Sequence, residues 1–261
     1  MVPEKTEETT VPKRARGIYL LPNLFTTAAL FAGFYAIVAA MGGRYTHAAV
    51  AIFVAMVLDG LDGRVARLTN TQSDFGAEYD SLSDMISFGL APALVMYEWA
   101  LGSLGKLGWL AAFIYTAGAA LRLARFNTQV GKVDKRYFQG LASPAAAAIL
   151  AGLVWLCNDR GISGTELSLT SLLITVAAGA LMVSNVRYYS FKDLDFRGRV
   201  PFVTVLVVVL IFVLITLDPP QVLFSVFVLY ALSGPVLTIF LLQRKRRARR
   251  QAQEESPPPE D

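Results

Sequence analysis

The stretch Asp59-Gly60-Leu61-Asp62-Gly63-Arg64-Val65-Ala66-Arg67, followed by Gly76-Ala77-Glu78-Tyr79-Asp80-Ser81-Leu82-Ser83-Asp84, sets four aspartates at the edges of two long apolar segments. A carboxylate is costly there, and ionisable residues at such positions pair, face a wet cavity or take part in chemistry. On a helix of 3.6 residues per turn, Asp59 and Asp62 lie roughly 60° apart, and Gly63, Ala66 and Arg67 fall on the same side. Asp80 and Asp84, four residues apart, also share a face. The polar stretch 69–75 is short enough to make the third apolar segment an antiparallel neighbour of the second. The four carboxylates are then expected to converge on one small volume. Four like charges so close need cations, and ligation by oxygen alone suits Mg²⁺ or Mn²⁺ rather than zinc.

Outward from this stretch the chain is apolar. It is 54% hydrophobic and 17% charged, with a mean hydropathy of +0.49, and the charged share is well below the quarter or so usual in soluble domains. Apolar runs near the twenty residues that cross a bilayer occur at about 24–41, 46–68, 80–101, 107–126, 141–157, 169–186, 200–217 and 221–242. The expected fold class is therefore all-α, a polytopic membrane helical bundle of about eight transmembrane helices. The first run follows a polar N-terminus without a small-residue cleavage site, so it reads as a retained span rather than a signal peptide. Leu20 and Leu21, before Pro22, are expected to form a short interfacial turn ahead of it.

Basic residues set the orientation. With an N-terminus inside and alternating spans, only Arg44, Lys106 and Arg160 of the 24 Lys and Arg fall outside. The positive-inside rule then puts both termini in the cytoplasm, and the aspartate cluster at the cytoplasmic mouth, open to water-soluble ligands. Residues 1–21 read as a cytoplasmic tail, 22–243 as the membrane domain, and 244–261 as a basic and then disordered tail. The basic block Arg244 to Arg250 suits anionic headgroups, and no nucleic-acid partner is expected. The single cysteine, Cys157, excludes an internal disulfide. His47, the only histidine, reads as an interfacial residue.

The pattern D-x2-D-G-x2-A-R-x8-G-x3-D-x3-D, complete over 59–84, resembles the signature of the CDP-alcohol phosphotransferases. The resemblance implies displacement of CMP from a CDP-linked lipid by an alcohol, with two divalent ions, Mg²⁺ or Mn²⁺, as cofactors. It implies Asp59, Asp62, Asp80 and Asp84 as metal ligands and Asp84 as the base that takes the hydroxyl proton. It further implies that Gly63, Ala66, Arg67 and Gly76 form the nucleotide and CDP-lipid pocket, and that the protein is a homodimer. The bland alternatives are close helix packing for the small residues and a snorkelling anchor for Arg67.

Four further stretches look like the phosphatidylserine synthase branch of that family: Pro22-Asn-Leu-Phe-Thr26, Ser87-Phe-Gly-Leu-Ala-Pro92, Arg122-Leu-Ala-Arg-Phe-Asn127 and Phe138-Gln-Gly-Leu-Ala-Ser-Pro144. Ser184-Asn-Val-Arg-Tyr188 agrees less specifically. This implies CDP-diacylglycerol and L-serine as substrates, met among membrane lipids. A serine carboxylate needs a cation, for which Arg122, Arg125 and Arg187 are candidates, with Asn127, Ser143 and Ser184 as polar partners. The basic stretch 132–136 is suited to steer anionic CDP-lipid. Within the family the acceptor is alternatively glycerol 3-phosphate, an inositol phosphate or choline. A divalent-cation transporter is the reading from another class, disfavoured because such sites sit near the midplane between repeats and the chain has no convincing internal repeat.

Overall fold

The computed structural model describes residues 20–129, 137–189 and 202–254. The N-terminal tail, the basic stretch 132–136, residues 190–199 and residues 255–261 lie outside them. Helices α1 (Leu20–Met41) and α2 (Tyr45–Thr69) form a hairpin, and α3 (Asp74–Asp84) runs through a π-helical stretch, Met85–Leu90, into α4 (Ala91–Trp99). Then come a 3₁₀ turn (Leu101–Leu104), α5 (Lys106–Gln129), strand β1 (Tyr137–Gln139), α6 (Ser143–Asp159), α7 (Ser168–Val183), strand β2 (Arg187–Tyr189), α8 (Phe202–Leu217) and α9 (Pro219–Glu254). Counting α3 to α4 as one rod, the helices follow the eight apolar runs in order. Three of them, Leu21–Met41, Lys106–Thr128 and Pro219–Ile239, are long and apolar enough to cross a membrane, and α6 and α7 are shorter apolar helices. This is an integral membrane helical bundle.

Alanine makes the bundle close. Ala29, Ala32, Ala36, Ala39 and Ala40 of α1 are buried, as are Ala48, Ala49, Ala51 and Ala55 of α2. In lipid, small side chains let backbones approach, so van der Waals contact rather than water exclusion holds the pair. Helix α6 is the centre: Ser143 and every residue from Ala145 to Val154 are buried. A Cβ on Gly118 of α5 would sit 2.7 Å from the Gly179 carbonyl oxygen of α7. We expect Gly118→Ala to destabilise the protein by roughly 1–3 kcal/mol, read as a lower apparent Tm in detergent. Gly60→Ala, with open space around its Cβ, should be neutral or stabilising because alanine favours helix.

Some boundaries differ from the sequence reading. Leu20 to Pro22 belong to α1 rather than to a separate turn, since a proline in the first turn has no hydrogen bond to lose. The third rod starts at Asp74, where the Ser73 side chain accepts from the Gly76 N–H, a stabilising N-cap. Helix α9 continues past 242 to Glu254 and holds Pro235 within it. Its 36 residues extend about 54 Å, so it outruns the roughly 30 Å hydrocarbon core. The short strands were not expected. They pair Tyr137 with Tyr189 and Gln139 with Arg187, tying the end of α7 to the start of α6. Gly140, at φ 78°, lies so close to the Met182 carbonyl that no side chain fits.

Candidate active site

One carboxylate oxygen from each of Asp59, Asp62 and Asp80 lies within 4.8 Å of the other two. Asp84 ends α3 where the π-helical stretch begins, a wider winding common at functional sites. It is near enough to feel the charges of Asp59, Asp80 and Asp62. Oδ1 of Asp80 and Oδ1 of Asp84 are buried and have no hydrogen-bond partner among the described residues. A buried, unsatisfied carboxylate oxygen is strongly disfavoured. An all-oxygen donor set of this spacing fits a hard divalent cation, and the residues present therefore suit one.

The second and third segments are neighbours, as their short connection suggested, but the contact lies beyond α3 itself. Helix α2 packs on α1, and α3 likewise packs on α1; α2 meets the third rod mainly through its π-helical stretch and α4. Thr26 of α1 donates to Asp62 Oδ2 at 2.7 Å. From α3, Ser83 Oγ donates to the Thr26 carbonyl at 3.2 Å. The hydroxyls of Thr27 and Tyr79 are 2.9 Å apart, and Ser87 Oγ donates to the Ala29 carbonyl at 3.1 Å. The sequence reading singled out none of these hydroxyls for such a task; the hydroxyls at 83 and 87, one turn apart on the acidic rod, were the available signal.

A cavity of about 410 Å³ adjoins the cluster, lined by Pro22, Asn23 and Thr26 of α1, by residues 71–74, and by Asp62, Gly63, Ala66, Gly76, Ala77 and Asp80. That volume lies in the range of small-molecule sites. Around a Cβ built on Gly63 there is open space, so a side chain there would occupy the cavity. Gly63, Ala66 and Gly76 thus sit together on its wall, while Arg67 is exposed in the last turn of α2 and does not line it.

Residues 19–186 match the CDP-alcohol phosphatidyltransferase family. The chain belongs to that family. It is 38% identical over 226 residues to the CDP-diacylglycerol–serine O-phosphatidyltransferase of Helicobacter pylori (strain ATCC 700392 / 26695), covering 86% of this chain and 93% of that one. It is 32% identical over 172 residues to the protein of the same name from Bacillus subtilis (strain 168), covering 66% of this chain and 91% of that one. A third relative of that name, from Mycobacterium tuberculosis (strain ATCC 25618 / H37Rv), is 40% identical over 158 residues, 58% of this chain and 54% of its own.

In this phosphatidyltransferase a half-buried arginine on α5 is electrostatically coupled to the acidic cluster. The Arg122 Nη1 donates to Ser143 Oγ at 3.0 Å, and Ser143 is fully buried at the start of α6. Arg122 also feels the charge of Asp84. The Arg122 Nε and Arg125 Nη1 are buried without a hydrogen-bond partner among the described residues. Guanidinium N–H groups in that state are ready donors to a carboxylate or phosphate. Asn127 stands apart: it is exposed, and its Nδ2 donates to Ser81 Oγ at 3.0 Å, tying α5 to α3. The Ser184 hydroxyl is engaged by the turn after α7, donating to the Leu181 carbonyl and accepting from the Val186 N–H. Arg187 lies in β2 opposite Gln139.

Proposed function

We propose that this enzyme transfers the phosphatidyl group of CDP-diacylglycerol to the hydroxyl of L-serine, giving phosphatidylserine and CMP. The carboxylate cluster bordering a nucleotide-sized cavity is the observation that carries the transferase reading. Serine as acceptor is supported by the names of the relatives and by the buried guanidinium nitrogens of Arg122 and Arg125, unpartnered among the described residues, the first of them electrostatically coupled to Asp84.

Asp59, Asp62 and Asp80 would hold two divalent ions, Mg²⁺ or Mn²⁺, with Asp84 contributing a ligand oxygen. When bound, such ions neutralise a diphosphate and stabilise the oxygens being attacked and displaced. The rest falls to the chain itself. Gly63, Ala66 and Gly76 let the CDP moiety lie against helix backbone, and Arg67, one residue beyond Ala66 but outside the cavity wall, offers its charge to the phosphates from solvent. Arg122 and Arg125 hold the serine carboxylate, with Ser143 fixing the Arg122 fork, so that the serine hydroxyl faces Asp84. Asp84 takes that proton as the serine oxygen bonds to the phosphorus bearing the diacylglycerol and the bond from that phosphorus to CMP breaks. A general base must lie within hydrogen-bond reach of the proton it removes.

In this reading the site faces the cytoplasm, which the distribution of Lys and Arg supports. The catalytic unit spans 22–243, and the protein works as a homodimer, which the mass of the detergent-solubilised particle tests. The reaction is tested with purified protein, CDP-diacylglycerol and a panel of L-serine, glycerol 3-phosphate, inositol phosphate and choline. CMP release is expected with serine alone. Chelation should abolish it, and Mn²⁺ or Mg²⁺ should restore it. Release with another alcohol and not serine would reassign the acceptor, and full activity after exhaustive chelation would remove the metal.

A further inference from the structure

Helix α1 carries no acidic residue, yet it sits between the two helices that do. Its Thr26 is 3% exposed and Asp62 is 5% exposed. A mid-helix threonine ordinarily turns its hydroxyl back to the carbonyl four residues earlier. Thr27 does this, donating to the Asn23 carbonyl at 2.7 Å. Thr26 departs from the habit. Its hydroxyl is 3.2 Å from the Pro22 carbonyl but 2.7 Å from Asp62 Oδ2. One proton serves one acceptor at full strength, and the shorter, charge-assisted contact wins.

We infer that Thr26 is a positioning residue for the metal cluster, orienting Asp62 through this bond. The inference rests on the metal-assisted transfer proposed above. A carboxylate offers about four acceptor directions, so one bond to Thr26 fixes the rotamer and leaves the others for a cation shared with Asp59 and Asp80. The Thr26 carbonyl simultaneously accepts from Ser83, one residue before Asp84. The same backbone unit therefore sets the height of α3 against α2. Loss of the hydroxyl leaves Asp62 in place but free to rotate, while the Ser83 contact survives. Outer partners that orient metal ligands are worth roughly 10–100-fold in metal affinity.

The test titrates Mn²⁺ alone into detergent-purified full-length protein and follows free Mn²⁺ by electron paramagnetic resonance. Thr26→Val keeps the volume and removes the donor; Thr26→Ser keeps the donor. We expect Thr26→Val to bind Mn²⁺ roughly 10–100-fold more weakly, with an unchanged Tm in the absence of metal and a smaller Tm gain on adding it. Thr26→Ser should recover most of the affinity. Wild-type affinity in Thr26→Val, or equal loss in Thr26→Ser, overturns the inference while leaving the metal site intact. Should Thr26→Val not stay monodisperse, Thr26→Ala carries the same expectation. Misfolding of both overturns it, since a residue that only orients one carboxylate is not needed to fold. A wild-type protein that takes up no Mn²⁺ removes the proposed function itself.

Discussion

Asp80→Asn lowers CMP release by at least about a thousandfold, on the order of 4 kcal/mol of barrier, and the variant still folds and inserts. The reason is local. Asp80 Oδ1 is buried without a partner among the described residues, and the side chain shares a 4.8 Å cluster with Asp59 and Asp62. An amide of the same shape keeps the packing but removes the charge that a hard cation requires. Asp84→Asn should be as inactive for a different reason. It loses the base and one ligand oxygen while Asp59, Asp62 and Asp80 remain, so Mn²⁺ binding should weaken only in part in Asp84→Asn and largely vanish in Asp80→Asn. Turnover assays paired with Mn²⁺ titration check both. Wild-type turnover in Asp80→Asn would take that residue out of the reaction, and equal loss of Mn²⁺ in both variants would merge the two roles.

The second large effect falls on the acceptor. Arg122→Ala should raise the apparent KM for serine by roughly 30-fold or more, since truncating one partner of a buried charge pair costs about 2–5 kcal/mol. The KM for CDP-diacylglycerol should move little. Arg122→Lys should fall between, because an ammonium keeps the charge but lacks the planar fork. Ser143→Ala removes only the neutral hydroxyl that accepts from Arg122 and should cost about 1 kcal/mol. Initial-rate kinetics with each substrate varied in turn decides. Equal effects of Arg122→Ala on both substrates would make Arg122 a structural or nucleotide residue.

What was legible beforehand follows physical lines. The helical rods were readable because hydropathy acts locally: each apolar run became a helix, with most ends shifted by a few residues and α9 running twelve residues past its apolar run. The carboxylate cluster was readable because charge within apolar helices is rare, and Asp59, Asp62 and Asp80 do meet. How they meet was not. Spacing along α2 and α3 suggested a direct helix pair, whereas α1 bridges them through Thr26, Thr27 and the carbonyl of Ala29. A hydroxyl carries no periodic signal, so its task appears only with coordinates. The β1–β2 pairing was equally hidden, because three-residue strands are too short for alternation to register. Arg122 and Ser143 were candidates from the resembling stretches and the cation a serine carboxylate needs, but their mutual bond joins residues 21 positions apart on separate helices.

Anomalous X-ray scattering from crystals grown with Mn²⁺ and CDP-diacylglycerol bears most directly on the catalytic centre. Density for Mn²⁺ is expected among Asp59, Asp62 and Asp80, in contact with diphosphate oxygens in the cavity beside Gly63. Nucleotide bound elsewhere, or bound there with no anomalous signal at the carboxylates, would contradict metal-assisted transfer at this site.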